Sequence, residues 1–336
     1  MILAGQAAAS IAAAAETVGT GGLLGLPTET VYGLAADAEN PTAVARIFAA
    51  KGRPADHPLI VHVADATDAA HFASEVPAFA HALMQVFWPG PLTLILPRQP
   101  GVAAAAAGGQ DSIGLRCPAH PVAQAVLAAC AGLVPPVRGL AAPSANRFGR
   151  VSPTTAAHVQ EELGPELLIL DGGPCPLGIE STIVDCTRGQ PVLLRPGLIM
   201  PAELAVACGQ AVLLPKDLAD AALAAPRASG TLASHYAPRA RVRLFTAEGL
   251  QAALRYEAAQ TAKVAVYART LVQTDWAACA PPAWRVMPQT AAEAAQQLFA
   301  VLREFDSTGV AEIWVETPPD SPDWAGVRDR LQRAAA

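Results

Sequence analysis

The 336-residue chain is 52% hydrophobic and 15% charged, a composition that excludes a disordered chain and suits two domains with a sizeable core. Its formal net charge is −6, from 23 basic and 29 acidic residues, so no overall basic excess is present to hold nucleic acid over a broad surface. The apolar N-terminus, MILAGQAAASIAAAAETVG, precedes the first basic residue, Arg46, and therefore lacks the basic n-region of a signal peptide.

In that first stretch Ile11, Ala14, Ala15 and Val18 share one face of a helix that Gly19 and Gly21–Gly22 end. Beyond it, short apolar runs alternate with helical patterns, the signature of an α/β domain. The pattern predicts strands at Gly22–Leu26, Leu59–Val63, Leu92–Leu96, Ser112–Cys117, Leu167–Leu170, Ser181–Asp185 and Val192–Arg195. It predicts helices at Thr42–Ala50, Pro77–Phe87, Pro121–Cys130 and Pro153–Leu163, the last with Ser152 as N-cap and Pro153 in its first turn. From about 209 to 238 the chain turns Ala/Pro-rich and ends in ASGTLASHYAPRA, which reads as a linker. After it come strand Val242–Phe245, helix Glu248–Gln260, strand Val264–Tyr267, helix Ala291–Phe305, strand Glu312–Val315 and helix Trp324–Ala334. That is a small Rossmann-like unit without a G-x-G-x-x-G loop, so nothing in it points to a dinucleotide.

The domain layout is thus a catalytic domain over 1–208, a linker over 209–238 and a C-terminal domain over 239–336. No apolar run reads as a membrane span, because Gly, Pro and charged residues interrupt them. Cys117, Cys130, Cys175, Cys186, Cys208 and Cys279 form neither a C-x-x-C pair nor a Cys/His cluster. They read as reduced, mostly buried thiols of a cytoplasmic protein.

Four segments carry chemistry: LPTETVYGLAAD (Leu26–Asp37), KGRPADHPLIVHV (Lys51–Val63), SIGLRCP with APSANRFG (Ser112–Pro118 and Ala142–Gly149), and GIESTIVD with LLRPG (Gly178–Asp185 and Leu193–Gly197). Lys51 and Arg53, in a turn set by Gly52 and Pro54, can clamp a polyphosphate, Arg as a planar fork and Lys as a point charge. The bland alternative is a solvated helix end. Ser112, Gly114 and Arg116 share one face of a strand, and an Arg in an apolar strand needs an anion, either a substrate carboxylate or an internal Asp or Glu. His62 lies among Ile60, Val61 and Val63, as a core histidine would. Ser144 and Asn146 suit phosphate oxygens or an Asx turn. Ser181 and Thr182 can line a pocket or cap a turn, and Arg195 can reach an anion or the surface.

Taken together, K-x-R at Lys51 and Arg53, S-x-N at Ser144 and Asn146, the strand Arg and the Thr-Glu-Thr-Val-Tyr-Gly-Leu loop resemble the YrdC-type threonylcarbamoyl-AMP synthases. The resemblance is close over about residues 10–200, and the His235-Tyr236-Ala237-Pro238 linker with the C-terminal unit is similar to the long, two-domain form. It implies a twisted open α/β sheet around a deep cavity in which L-threonine, bicarbonate and ATP with Mg2+ meet, the metal carried by the phosphates. It implies a threonine set of Thr30, Tyr32, His62, Arg116 and Ser181. The implied ATP set is Lys51, Arg53, His57, Ser112, Ser144, Asn146, Ser152, Arg195 and Tyr236, with Lys51 and Arg53 at the chemistry. His57 stands where many relatives have Asn; both side chains can donate and accept a hydrogen bond. The product would pass to a tRNA threonylcarbamoyl-transferase complex. On this reading the linker folds back over the cavity as a lid, with Tyr236 near the nucleotide. Two rivals are an RNA-binding module without turnover, which the acidic balance disfavours, and another carbamoyl-adenylate-forming enzyme, whose zinc-finger and acylphosphatase-like segments are missing from this sequence.

Overall fold

The computed structural model describes residues 1–217, 226–230, 235–256, 263–273 and 283–336. The chain divides into two compact units. The first comprises Met1–Phe148, Ser152–Pro176 and Glu180–Thr231; the second comprises Gly149–Val151, Leu177–Ile179 and Leu232–Ala336. Among the described residues no helix is long and apolar enough to cross a membrane.

In chain order the first unit contains β1 (Ile2–Ala4), α1 (Ala8–Gly19), β2 (Leu24–Leu26), β3 (Gly33–Asp37), α2 (Pro41–Lys51), β4 (Ile60–His62), α3 (Ala69–Phe72), α4 (Ala78–Phe87), β5 (Leu92–Pro97), β6 (Ser112–Arg116), α5 (Pro121–Ala131), β7 (Leu140–Ala141), α6 (Ala156–Leu163), β8 (Leu168–Asp171), β9 (Thr182–Asp185), β10 (Val192–Arg195) and α7 (Pro201–Cys208). The strands make one mixed sheet in the order β1-β8-β2-β3-β7-β4-β6-β5-β9-β10. Side chains alternate across it. In β3, Leu34 and Ala36 enter one core with Ile47, Phe72 and Leu94, whereas Ala35 enters another with Val18, Leu24 and Val126. The sheet is therefore covered on both faces, which is why its strands read as apolar runs rather than as alternating ones.

Three strands of the first unit escaped the sequence pattern. β7 has two residues, β3 is the Gly/Ala-rich GLAAD, and β1 stands directly before a helix; none carries the β-branched or aromatic density that marks a strand. The helix expected over Pro153–Leu163 begins later, at Ala156, and its N-cap is Thr155, whose Oγ1 accepts from His158 N at 3.2 Å. Ser152 lies four residues before the first helical residue and instead donates its hydroxyl to Glu180 Oε1 at 2.5 Å. The Pro153 carbonyl accepts from Tyr32 N instead of entering a helical turn.

The second unit holds β11 (Arg241–Phe245), α8 (Ala247–Tyr256), β12 (Val264–Ala268), β13 (Ala283–Val286), α9 (Ala291–Ser307), β14 (Glu312–Glu316) and α10 (Ala325–Ala334). Its four strands are parallel in the order β11-β14-β12-β13, a Rossmann-like arrangement. β13, with only four residues and an exposed Arg285, was not legible as a strand. Residues 257–260 of the helix expected to run to Gln260, Cys279, and linker positions 218–225 and 231–234 lie outside the described residues.

Candidate anion-binding site

Local structure sets the first group of cations. α2 starts on Asn40, whose side chain accepts from Thr42 N and Ala43 N, and stops on Gly52 at φ 63°, a left-handed turn that favours glycine. That stop places Lys51 in the last helical turn and Arg53 just beyond it. Neither is a solvated helix end, because both are buried. Lys51 Nζ donates to the carbonyls of Ser144 and Asn146, each at 2.5 Å, and the Lys51 carbonyl accepts from Phe148 N. The K-x-R and S-x-N segments are thus one structural group. Burial, and after it the neighbouring Arg53 charge, hold the Lys51 ammonium well below its usual range. Arg53 Nη2 donates to the Pro58 carbonyl at 2.9 Å, and its guanidinium lies 5.6 Å from the Phe148 ring. His57 meets the same ring edge-on at 5.4 Å. Burial and the Arg53 charge lower its pKa, which favours the neutral imidazole that can stand in for an amide.

The second group lies on the sheet. β4 and β6 run parallel with His62 opposite Arg116. Arg116 Nη1 donates to Thr30 Oγ1 at 2.8 Å, Nη2 to Glu29 Oε1 at 2.5 Å and Nε to the Gly90 carbonyl at 3.2 Å. The internal carboxylate that the strand Arg requires is therefore Glu29, which also accepts from Ala119 N. His62 is pushed down to about 3, first by burial and then by the Arg116 charge, so the ring is neutral. Its Nδ1 is buried and has no hydrogen-bond partner among the described residues.

A third group joins the next strands. Ser181, just before β9, exchanges a hydrogen bond with Thr93 Oγ1 at 2.7 Å. Arg195 ends β10 buried, not on the surface, donating from Nε to the Ser181 carbonyl and from Nη2 to Ser181 Oγ. Between these groups lies a cleft lined by Ile60, Thr93, Ile95, Ser112, Gly114 and Ile183, and roofed by Arg227, Ala228 and Ser229. Its free volume is ≈ 10 Å³, about one water molecule. The roof is held by polar contacts. Ser229 Oγ donates to the Pro58 carbonyl and accepts from Arg53 Nη2 at 3.2 Å, and the Ser229 carbonyl accepts from Arg195 Nη1 at 2.8 Å. Two of the cations expected to hold phosphate thus hold the linker.

Three further expected residues make the following contacts. Tyr32 is buried, and its hydroxyl donates to the Gly173 carbonyl at 2.8 Å and accepts from Gly172 N; burial raises its pKa strongly. Ser152 faces Glu180. Tyr236 belongs to the second unit, where it stacks on Phe299 at 5.4 Å and lies under the Arg330 guanidinium. Glu29, Thr93 and Ser229 were missed in the sequence. Only Glu29 carried a signal, as the acid inside Thr-Glu-Thr.

The first unit, an α/β sheet covered on both faces, thus gathers four buried basic side chains, Lys51, Arg53, Arg116 and Arg195. The family profile described as Telomere recombination, that of the Sua5/YciO/YrdC proteins, matches residues 16–197, and the one described as Threonylcarbamoyl-AMP synthase, C-terminal domain, matches residues 200–336. The threonylcarbamoyl-AMP synthase of Pyrococcus abyssi is 38% identical over 331 residues, or 96% of this chain and 93% of that protein. That of Bacillus subtilis is 37% identical over 338 residues, covering 97% and 92%. Among solved structures, P. abyssi Sua5 complexed with L-threonine aligns with a TM-score of 0.84 at 36% identity, over 97% of this chain and 94% of that one. The chain belongs to the Sua5/YciO/YrdC family, in its two-domain threonylcarbamoyl-AMP synthase form.

Proposed function

We propose that the chain is a nucleotidyltransferase that makes L-threonylcarbamoyl-AMP and pyrophosphate from L-threonine, bicarbonate and ATP, in the cytoplasm, for N6-threonylcarbamoylation of adenosine in tRNA. Beyond family membership, the observation that carries this reading is the buried Arg116, hydrogen-bonded to Thr30 beside neutral His62, in the same unit as Lys51, Arg53 and Arg195. One carboxylate clamp and one polyphosphate clamp match an amino acid and a nucleotide.

The threonine amine condenses with bicarbonate to a carbamate with loss of water, and the carbamate oxygen attacks the α-phosphorus of ATP as pyrophosphate leaves. Such a reaction needs no protein nucleophile; it needs positioning and neutralisation of phosphate charge. Arg116 exchanges part of its pairing with Glu29 for the threonine carboxylate. Lys51 braces the Ser144–Asn146 loop, and Arg53 and Arg195 release Ser229 for phosphate oxygens, with His57, Ser112 and Ser152 as further nucleotide contacts. Magnesium would come with ATP, carried by the phosphates, and would need few protein ligands. The unstable mixed anhydride passes to a tRNA threonylcarbamoyl-transferase complex. The test is mass spectrometry of a reaction containing ATP, labelled bicarbonate and L-threonine. A labelled threonylcarbamoyl-AMP supports the reading, and pyrophosphate release that is equal without threonine overturns it.

A further inference from the structure

Thr93 lies inside β5, in the run LTLILP, and is fully buried. A hydroxyl in that position costs free energy unless it is hydrogen-bonded, and its partner is Ser181 Oγ at 2.7 Å. β5 runs between β6 and β9. The antiparallel register Leu94–Leu115 sets Thr93 across from Arg116, and Thr93 pairs with Ile183 on the other side. Thr93 therefore stands between Arg116 and Ser181, two of the groups assigned above to threonine.

Its rotamer is determined by its neighbours. The methyl Cγ2 faces Gly114, where an added Cβ would lie 3.6 Å from it. Branching at Cβ then aims the hydroxyl toward β9. Ser181 Oγ has two lone pairs and one proton. Arg195 Nη2 fills one lone pair at 3.1 Å. When Thr93 donates, the second lone pair is filled and the Ser181 proton is left for a ligand. When Ser181 donates to Thr93, the serine offers an anion no donor. We infer that Thr93 is a positioning residue, which fixes the Ser181 hydroxyl as a hydrogen-bond donor to the carboxylate or carbamate of the substrate. This rests on the reading of Ser181 as a threonine contact.

The experiment compares Thr93→Val, which keeps the shape and loses the hydroxyl, with Thr93→Ser, which keeps the hydroxyl. Pyrophosphate release by the full chain is measured against L-threonine and against ATP, with thermal unfolding of each variant alongside. Thr93→Val raises the KM for threonine about tenfold, the scale of one hydrogen bond to a charged group, leaves the KM for ATP and the melting temperature near wild type, and is rescued by Thr93→Ser. A Val variant with the wild-type threonine KM overturns the inference, as does a Ser variant impaired as much as Val. If Val does not fold, Thr93→Ala replaces it in the same comparison with Ser. Wild type without threonine-dependent release defeats the proposed function and this inference together; active wild type with an unaffected Val variant defeats only the inference.

Discussion

Arg116 and Glu29 form an ion pair of 2.5 Å in which both side chains are buried. The pair joins β6 to the Thr28–Thr30 loop and leaves the guanidinium ready-charged inside the protein. Removing one partner of such a pair leaves the other as an uncompensated buried charge, which costs about 3–5 kcal/mol. Arg116→Ala is therefore expected to lower stability by that amount and to weaken threonine use. Adding Glu29→Gln removes the orphaned charge, so the double variant regains much of the stability but not the threonine affinity. Urea unfolding and threonine titration separate the two effects. A double variant that recovered threonine use would show that Arg116 serves only the fold.

Arg53 donates to the Pro58 carbonyl and to Ser229 in the roof of the cleft. In Arg53→Ala, losing a charged hydrogen bond to a bound polyphosphate should cost about 1.5–3 kcal/mol in kcat/KM for ATP, with threonine binding unchanged. Steady-state kinetics with each substrate varied in turn checks this; a loss confined to threonine would reverse the assignment of the two clamps.

On the proposed reading the roof over the cleft gives way for a nucleotide, because the free volume beneath it holds about one water. Its outer fastening is Arg227, which pairs with Asp56 at 2.9 Å on the surface and exchanges backbone hydrogen bonds with the Gln110 side chain. An exposed pair contributes at most about 1 kcal/mol, so Arg227→Ala should keep the fold while speeding ATP binding by a few-fold. Amide exchange at 226–230 should rise on adding ATP. Unchanged exchange and an unchanged on-rate would mean that ligands enter by another route.

His62 gives a pH signature of stability. Its pKa is about 3 in the folded protein against an ordinary 6.5. Above pH 6.5 the ring is neutral in both states and contributes no pH dependence. Between 6.5 and 3 the unfolded chain takes up a proton that the native state refuses, so stability falls as the pH falls, by up to about 1.4 kcal/mol per unit. His62→Gln should flatten this acid limb. Urea midpoints at pH 7.5 and 5 for both proteins test it, and parallel slopes would exclude His62 as the cause.

Much of the fold was legible because strong periodicity survives in one dimension. Val192–Arg195 and Pro121–Ala131 carry apolar patterns and a helix-starting proline that tertiary context did not overrule. β3 and β7 were illegible because their partners, not their composition, make them strands. Ser152 failed as an N-cap for a similar reason: the carbonyls of Pro153 and Thr154 accept from Tyr32 N and Cys175 N, distant in sequence, so the helix starts only at Ala156.

The sequence by itself determined the chemistry on offer: Lys51, Arg53, Arg116 and Arg195 as cations in apolar surroundings, each demanding an anion or a carbonyl. Burial penalises an unsatisfied charge whatever the fold. Which partner satisfies each one was decided only by tertiary structure. The sheet order sets β5 beside β9, so Thr93 meets Ser181 across 88 residues of chain, and the loop between β2 and β3 brings Glu29 to Arg116 across 87. Hydrogen bonds and ion pairs act over a few ångströms, and no local pattern encodes which distant segments arrive within that reach.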